Sequence, residues 1–201
     1  QYEYVLYTDI FKIGTKLFLL GIDGKSRYLF VEEILNHSAD QITIAIKSFL
    51  KQYHDNNADI QIFRNDNEKG ILKALAKLSD KIYTFQKVGI EQHCGLIESY
   101  IGTIRDYFQS SVIQQPYIIT PAYYSKLVKY VVFTTNILSN TYNNHVCPYE
   151  LFNKRKPNIN ILNLHAFGQP GVYRIPYHNK NSQIPNGIQA IFIGIDPDNW
   201  S

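Results

Sequence analysis

The chain contains no methionine, a single tryptophan and only two cysteines in 201 residues. Cys94 and Cys147 form no CxxC pair and cannot build a disulfide framework, which excludes the small disulfide-stapled scaffolds and fits a reducing compartment. His93-Cys94 and His145-Val146-Cys147 lack the internal spacing of zinc ligands, so ordinary packed or exposed residues are the better reading of both. No apolar run reaches the length of a transmembrane helix, no charged-then-apolar leader opens the sequence, and no membrane partner is expected. Strong charge of one sign is missing as well. A net charge of +3 permits a nucleic-acid partner without pointing to one. The absence of methionine and a strand-like start (Gln1-Tyr2-Glu3-Tyr4) predict a fragment of something longer, such as a processed polyprotein.

What is present is globular: 45% hydrophobic and 18% charged residues, with length for one large domain or a domain plus an appendage. The first third reads as three strands in hairpin connection, over residues 4–11, 16–22 and 26–32, rich in aromatic and β-branched side chains. Asp23-Gly24 suits a two-residue turn between the second and third. Ser38 and Gln41 have capping-box spacing before Ile42, Ala45, Ile46, Phe49, Leu50 and Tyr53, a helix that His54-Asp55-Asn56-Asn57 ends. A strand at 60–64 follows, and the intervening length suits a parallel crossover. A short helix over 70–79 carries Leu72, Leu75, Ala76 and Leu78, a fifth strand spans 81–85, and 86–94 reads as loop. The helix from Gly95 to about Ser110 has the stripe Ile97, Ile101, Ile104 and Phe108. Thr120-Pro121 opens another, with Tyr124, Leu127, Val128, Val131, Thr135 and Leu138 apolar or aligned with the stripe. Beyond Ser139 the composition shifts to Asn, Pro, His and Lys, with short β-like pieces at 166–174 and 189–195. Residues 1–140 read as one α/β domain and 141–201 as an extension.

Three carboxylates stand out against this background. Asp9 interrupts the apolar first strand, Asp66 closes the fourth, and Glu98 lies beside the apolar stripe of its helix. Each alone has a plain reading: a solvated edge residue, a strand-end turn residue, a favourable charge at a helix N-terminus. Together they are harder to explain. Burying an unpaired carboxylate costs several kcal/mol, so a fold that keeps three in such places most simply uses them to bind divalent metal for phosphoryl transfer.

The order β-β-β-α-β-α-β-α-α, with acids on the first strand, the fourth strand and the helix after the fifth, resembles the ribonuclease H-like catalytic core of the retroviral integrase superfamily. Within it the chain is most similar to integrases of copia-type (pseudovirus) LTR retrotransposons. Thr8-Asp9-Ile10-Phe11 is similar to the first-strand acid segment, Asn65-Asp66-Asn67 to Ser-Asp-Asn-Gly, and Gly95-Leu96-Ile97-Glu98-Ser99 to Asn-Gly-x-x-Glu-Arg. Pro148-Tyr149-Glu150-Leu151-Phe152 with Lys156-Pro157 resembles a downstream Pro-x-Glu-x-Phe/Trp and Lys-Lys-Pro segment, and Ala166-Phe167-Gly168-Gln169-Pro170 and residues 187–194 resemble two later copia-type motifs. The chain departs from the pattern at Glu68, where glycine is usual, at Ser99, where arginine is common, and in a slightly short interval between Asp66 and Glu98.

The resemblance implies a five-stranded mixed sheet, three antiparallel strands then two parallel ones, flanked by helices and followed by an irregular C-terminal extension. It implies a DNA integrase, a polynucleotidyl transferase that processes DNA 3′ ends and joins them to target DNA, with Asp9, Asp66 and Glu98 holding two Mg²⁺ (or Mn²⁺) ions. Arg105, on the Glu98 face of its helix, His93 in the preceding loop, and the run Lys154-Arg155-Lys156 would contact DNA phosphates. A surface salt bridge for Arg105, an exposed loop histidine, and a solvated basic loop are the corresponding plain readings. Element ends and target DNA are the expected partners, with a homo-oligomer as the working form and the nucleus, after a cytoplasmic particle stage, as the place of action. Two other readings share the pattern: a decayed or domesticated integrase-like DNA-binding module, and a nuclease of the same fold.

Overall fold

The computed structural model of the chain describes residues 4–65, 68–78, 94–158, 165–174 and 187–195. β1 (Val5–Ile13) and β2 (Lys16–Asp23) form an antiparallel hairpin in which Ile13 pairs with Lys16. The two-residue turn between them puts Gly14 at φ +58°, a conformation open to glycine without steric penalty. β3 (Leu29–Ile34) pairs antiparallel with β2, and β4 (Ile62–Asn65) pairs with β1 in parallel, giving the order β3-β2-β1-β4. Three antiparallel strands followed by a parallel one match the expectation. The predicted fifth strand at 81–85 lies outside the described residues, so the described sheet has four strands.

Alternation along β1 assigns the two faces. Leu6 and Ile10 join one core with Leu19, Phe30, Ile42, Phe49 and Ile71, under α1 (Ala39–Asp55) and α2 (Lys69–Leu78). Tyr7, Phe11 and Ile13 join the other with Phe18, Leu20 and Ile22, under α3 (Cys94–Ile113) and α4 (Tyr124–Ile137). Each buried Leu, Ile or Phe contributes about 1.5–3 kcal/mol. α1 starts as expected, with the Ser38 side chain accepting from the Gln41 N–H, and it comes close to β2 because a Cβ on Gly21 would meet Phe49 at 3.0 Å.

Several local expectations are corrected. Asp23 is not part of a two-residue turn: the β2–β3 connection runs to Tyr28, and the buried Asp23 carboxylate accepts from Ser26 N (2.7 Å), Ser26 Oγ (2.6 Å) and Tyr53 Oη (2.8 Å). Burial, and then the Asp23 charge and hydrogen bond, push the Tyr53 hydroxyl well above its ordinary value. In α2 the buried residues are Ile71, Ala74 and Leu75, while Leu72 and Ala76 face outward, because so short a helix presents a single seam to α1. Thr120 caps with its backbone only: its carbonyl accepts from Tyr123 N in a 3₁₀ turn (Pro121–Tyr123) that precedes α4. α4 buries Leu127, Val128 and Val131 as predicted, then Val132, Asn136 and Ile137 in place of Thr135 and Leu138. Asn136 explains the rotation: its side chain donates to Leu29 O and accepts from Leu29 N, both at 2.8 Å, closing part of the outer edge of β3.

The C-terminal third packs on both cores. α5 (Pro148–Asn153) inserts Phe152, which stacks on Tyr28 at 4.5 Å and meets Phe30 and Tyr53 edge-on. Burial, with the neighbouring Tyr149, outweighs a hydrogen bond from Asn153 and pushes the Tyr28 hydroxyl up to about 12. β5 (Pro170–Arg174) and β6 (Gly187–Ile191) form an antiparallel ribbon, slightly displaced from the predicted pieces at 166–174 and 189–195.

Candidate active site

Asp9 sits on β1, which has β2 on one side and β4 on the other, so the solvated-edge explanation of this residue fails. It pairs with Leu20 across the β1–β2 ladder, is half-buried, and its Oδ1 accepts from the Ile10 N–H at 2.7 Å. By alternation it shares a face with Tyr7 and Phe11, the face on which α3 lies. α3 holds itself there through Ile97, Ile101, Ile104 and Phe108, the stripe read from the sequence, all of them buried.

Glu98 follows Ile97 directly and is exposed at the margin of that helix–sheet seam. α3 begins at Cys94 and has no acid in its first turn, so a helix-dipole role near the N-terminus does not account for Glu98. Asp66 lies outside the described residues. The strand leading to it is described: Asn65, the last residue of β4, pairs with Thr8, the residue before Asp9. Among the described residues no three of His, Cys, Asp and Glu group closely enough to hold a metal ion. Asp9 and Glu98, hard oxygen donors on facing elements, are two of the three expected ligands, and their chemistry fits Mg²⁺ or Mn²⁺.

Sequence reasoning missed two neighbours of Asp9. Tyr7 pairs with Arg64 of β4, and the two share the Asp9 face. Arg64 Nη1 donates to Tyr7 Oη at 3.1 Å, and the guanidinium lies 5.6 Å from the Tyr7 ring centroid. A cation on a strand two residues before a candidate acid was the available signal. Glu68, the acid that stands two residues after Asp66 where the pattern usually has glycine, is bound through Oε1 to His37 Nδ1 at 2.7 Å, beside the start of α1.

Of the predicted DNA contacts, Arg105 is exposed and makes no ion pair with a described residue, which removes the salt-bridge explanation within that set. Lys154, Arg155 and Lys156 are exposed just after α5, with Lys154 in the left-handed region at φ 55°. His93 is outside the described residues. Cys147 is buried with Ile137 and Tyr149 and His145 is exposed, in line with packed and surface roles.

The mixed α/β architecture is that of retroviral integrase catalytic cores. The catalytic core domain of BIV integrase superposes with a TM-score of 0.56 at 13% identity, over 75% of this chain and 93% of that one. The HTLV-2 integrase catalytic core, in complex with magnesium, gives 0.55 at 12% identity in a trimeric form and 0.58 at 10% in a dimeric form. These matches cover 74% of this chain and 95% and 94% of the HTLV-2 cores. No protein-family model matches the chain, and no curated protein sequence matches it.

Proposed function

We propose that this chain is the catalytic core of an integrase of the copia retrotransposon type, a polynucleotidyl transferase that trims DNA 3′ ends and joins them to target DNA. The observation that carries the reading is the placement of Asp9 on a central strand, on the face covered by the helix bearing Glu98, within an integrase-core fold. Asp66 is proposed as the third ligand, because β4 runs parallel to β1 and ends one residue short of it, level with Thr8. Asp9, Asp66 and Glu98 would hold two Mg²⁺ or Mn²⁺ ions, which when bound activate the attacking water or 3′-hydroxyl and stabilise the leaving oxygen. The HTLV-2 core in complex with magnesium supports that choice of metal.

The remaining roles belong to the chain's own side chains. Asp9 is oriented by the Ile10 N–H. Arg64, braced on Tyr7, sets positive charge beside the acids and near an incoming phosphodiester. Arg105, Lys154, Arg155 and Lys156 hold DNA backbone, and His93 contacts DNA from the loop ahead of α3. Glu68 is tied to His37, which takes the extra acid out of direct competition for the metals and supports an active enzyme over a decayed one. Residues 1–140 would be the core and 141–201 the extension, consistent with nearly complete coverage of the retroviral cores by about three quarters of this chain. Dimeric and trimeric forms of the HTLV-2 core support a homo-oligomer, and joining to chromosomal DNA would place the protein in the nucleus.

The test is a strand-transfer assay with a duplex bearing the element's terminal sequence and Mn²⁺. Wild type forms joined product and Glu98→Gln forms none, while both bind the duplex. Hydrolysis without joining would assign a nuclease of the same fold. Equal joining by both proteins would remove the assignment of Glu98.

A further inference from the structure

The start of α2 is tied to the turn between β3 and α1 by side chain and by backbone. The Glu68 carbonyl accepts from Leu72 N at 3.0 Å, which makes Glu68 the residue that caps α2. Its Oε1 lies 2.7 Å from His37 Nδ1. His37 is itself held between two local contacts: Asn36 Oδ1 accepts from Ser38 N at 2.9 Å, and the Ser38 side chain caps α1. The backbones also meet, since a Cβ on Gly70 would come within 2.8 Å of His37 O and of Ile42 Cδ1. The glycine that the integrase pattern has at 68 stands at 70 in this chain. There the close approach of α2 leaves no room for a side chain.

The His37–Glu68 pair does little to hold α2 in place. Its side chains are 57% and 30% exposed, and pairs so open to water stabilise a fold only slightly. Docking of α2 is supplied by Ile71, Ala74 and Leu75, buried in the first core, and by Lys77 Nζ on Asp40 Oδ1 at 2.5 Å. What the pair adds is a second fixed point beside the candidate metal site. Asn65 is fixed in the β1–β4 ladder opposite Thr8, and Glu68 is fixed on His37. Asp66 and Asn67 are the two residues of chain between them.

We propose that His37 and Glu68 are positioning residues for the metal site, a tether peculiar to this chain that restricts the backbone on either side of Asp66. Neither side chain touches the metal. Glu68 acts through the chain and His37 acts through Glu68, so that the Asp66 carboxylate meets the ion with less freedom left to lose. The role rests on the reading of Asp66 as a ligand. It gives the acid at 68 a use that the usual glycine could not serve, because glycine offers no side chain to hold.

The experiment titrates the full chain, free of DNA, with Mn²⁺ and follows the ion by electron paramagnetic resonance, beside urea denaturation of each variant. His37→Ala is expected to weaken Mn²⁺ binding about tenfold with the urea midpoint unchanged. His37→Asn, which keeps an N–H donor near the place of Nδ1, regains most of the affinity. Glu68→Ala, alone or combined with His37→Ala, loses no more than His37→Ala does, because each breaks the same tether. Lys77→Ala breaks the ion pair with Asp40 and leaves Mn²⁺ binding as in wild type. Wild-type affinity in His37→Ala overturns the proposal. So does an equal loss in Lys77→Ala, or a loss that comes with a lowered urea midpoint, either of which would mean that only the docking of α2 is at stake. Glu98→Gln keeps the tether and removes a ligand, so it tells the two failures apart. Unchanged binding there removes the carboxylate reading and the positioning role with it, whereas a loss there beside normal binding in His37→Ala removes the positioning role alone.

Discussion

Glu33 shows how single side chains knit the second core to the sheet. It accepts from Lys16 Nζ at 2.6 Å and from Ser125 Oγ at 2.6 Å, linking β3 to β2 and to α4. Burial works to raise its carboxyl, but the hydrogen bonds from Lys16 and Ser125 and the charges of Lys16 and Lys129 outweigh it and hold the group below its ordinary 4.5. A carboxylate depressed in the folded state stabilises the protein above its unfolded value and loses that contribution as pH falls through the folded one. Urea denaturation as a function of pH should show wild type losing stability below about 4.5, with Glu33→Gln less stable near neutrality and flatter across that acid window. At this scale the sequence was a partial guide. Asp9 and Glu98 stood out because acids beside apolar stripes violate local pattern, and the structure sets them on a central strand and on the helix that covers its face. Asp23-Gly24 was misread as a two-residue turn because Tyr53, thirty residues on, meets the Asp23 carboxylate only in three dimensions, and Arg64 was missed because its relation to Tyr7 depends on strand register.

At the scale of elements, periodicity was most reliable where a helix is long and lies flat on the sheet. The α3 stripe is buried as read, because four apolar residues at three- and four-residue spacing leave one way to lie down. α2 and α4 departed where a short seam or one polar contact, that of Asn136 with β3, decided the rotation. α5 carries the strongest element-scale prediction. Phe152 is the residue by which the C-terminal third enters the first core, so Phe152→Ala should cost about 3–5 kcal/mol of unfolding free energy. Chemical denaturation checks this, and a loss under 1 kcal/mol would mean that α5 is only loosely docked. The β5–β6 pairing was foreseen as two separate short pieces, since nothing in their residues reveals a partner across a long connection.

For the molecule as a whole, the architecture places two of three expected ligands on facing elements of an integrase-core fold, and most of the acids lie in the N-terminal half of the chain. The central claim is that the carboxylates of Asp9, Asp66 and Glu98 hold divalent metal. Anomalous diffraction from crystals grown with Mn²⁺ and a DNA end tests it most directly. Manganese peaks against the carboxylates of Asp9, Asp66 and Glu98, lost in Asp9→Asn, are the result this account predicts. Saturating Mn²⁺ with no peak at those side chains would contradict it.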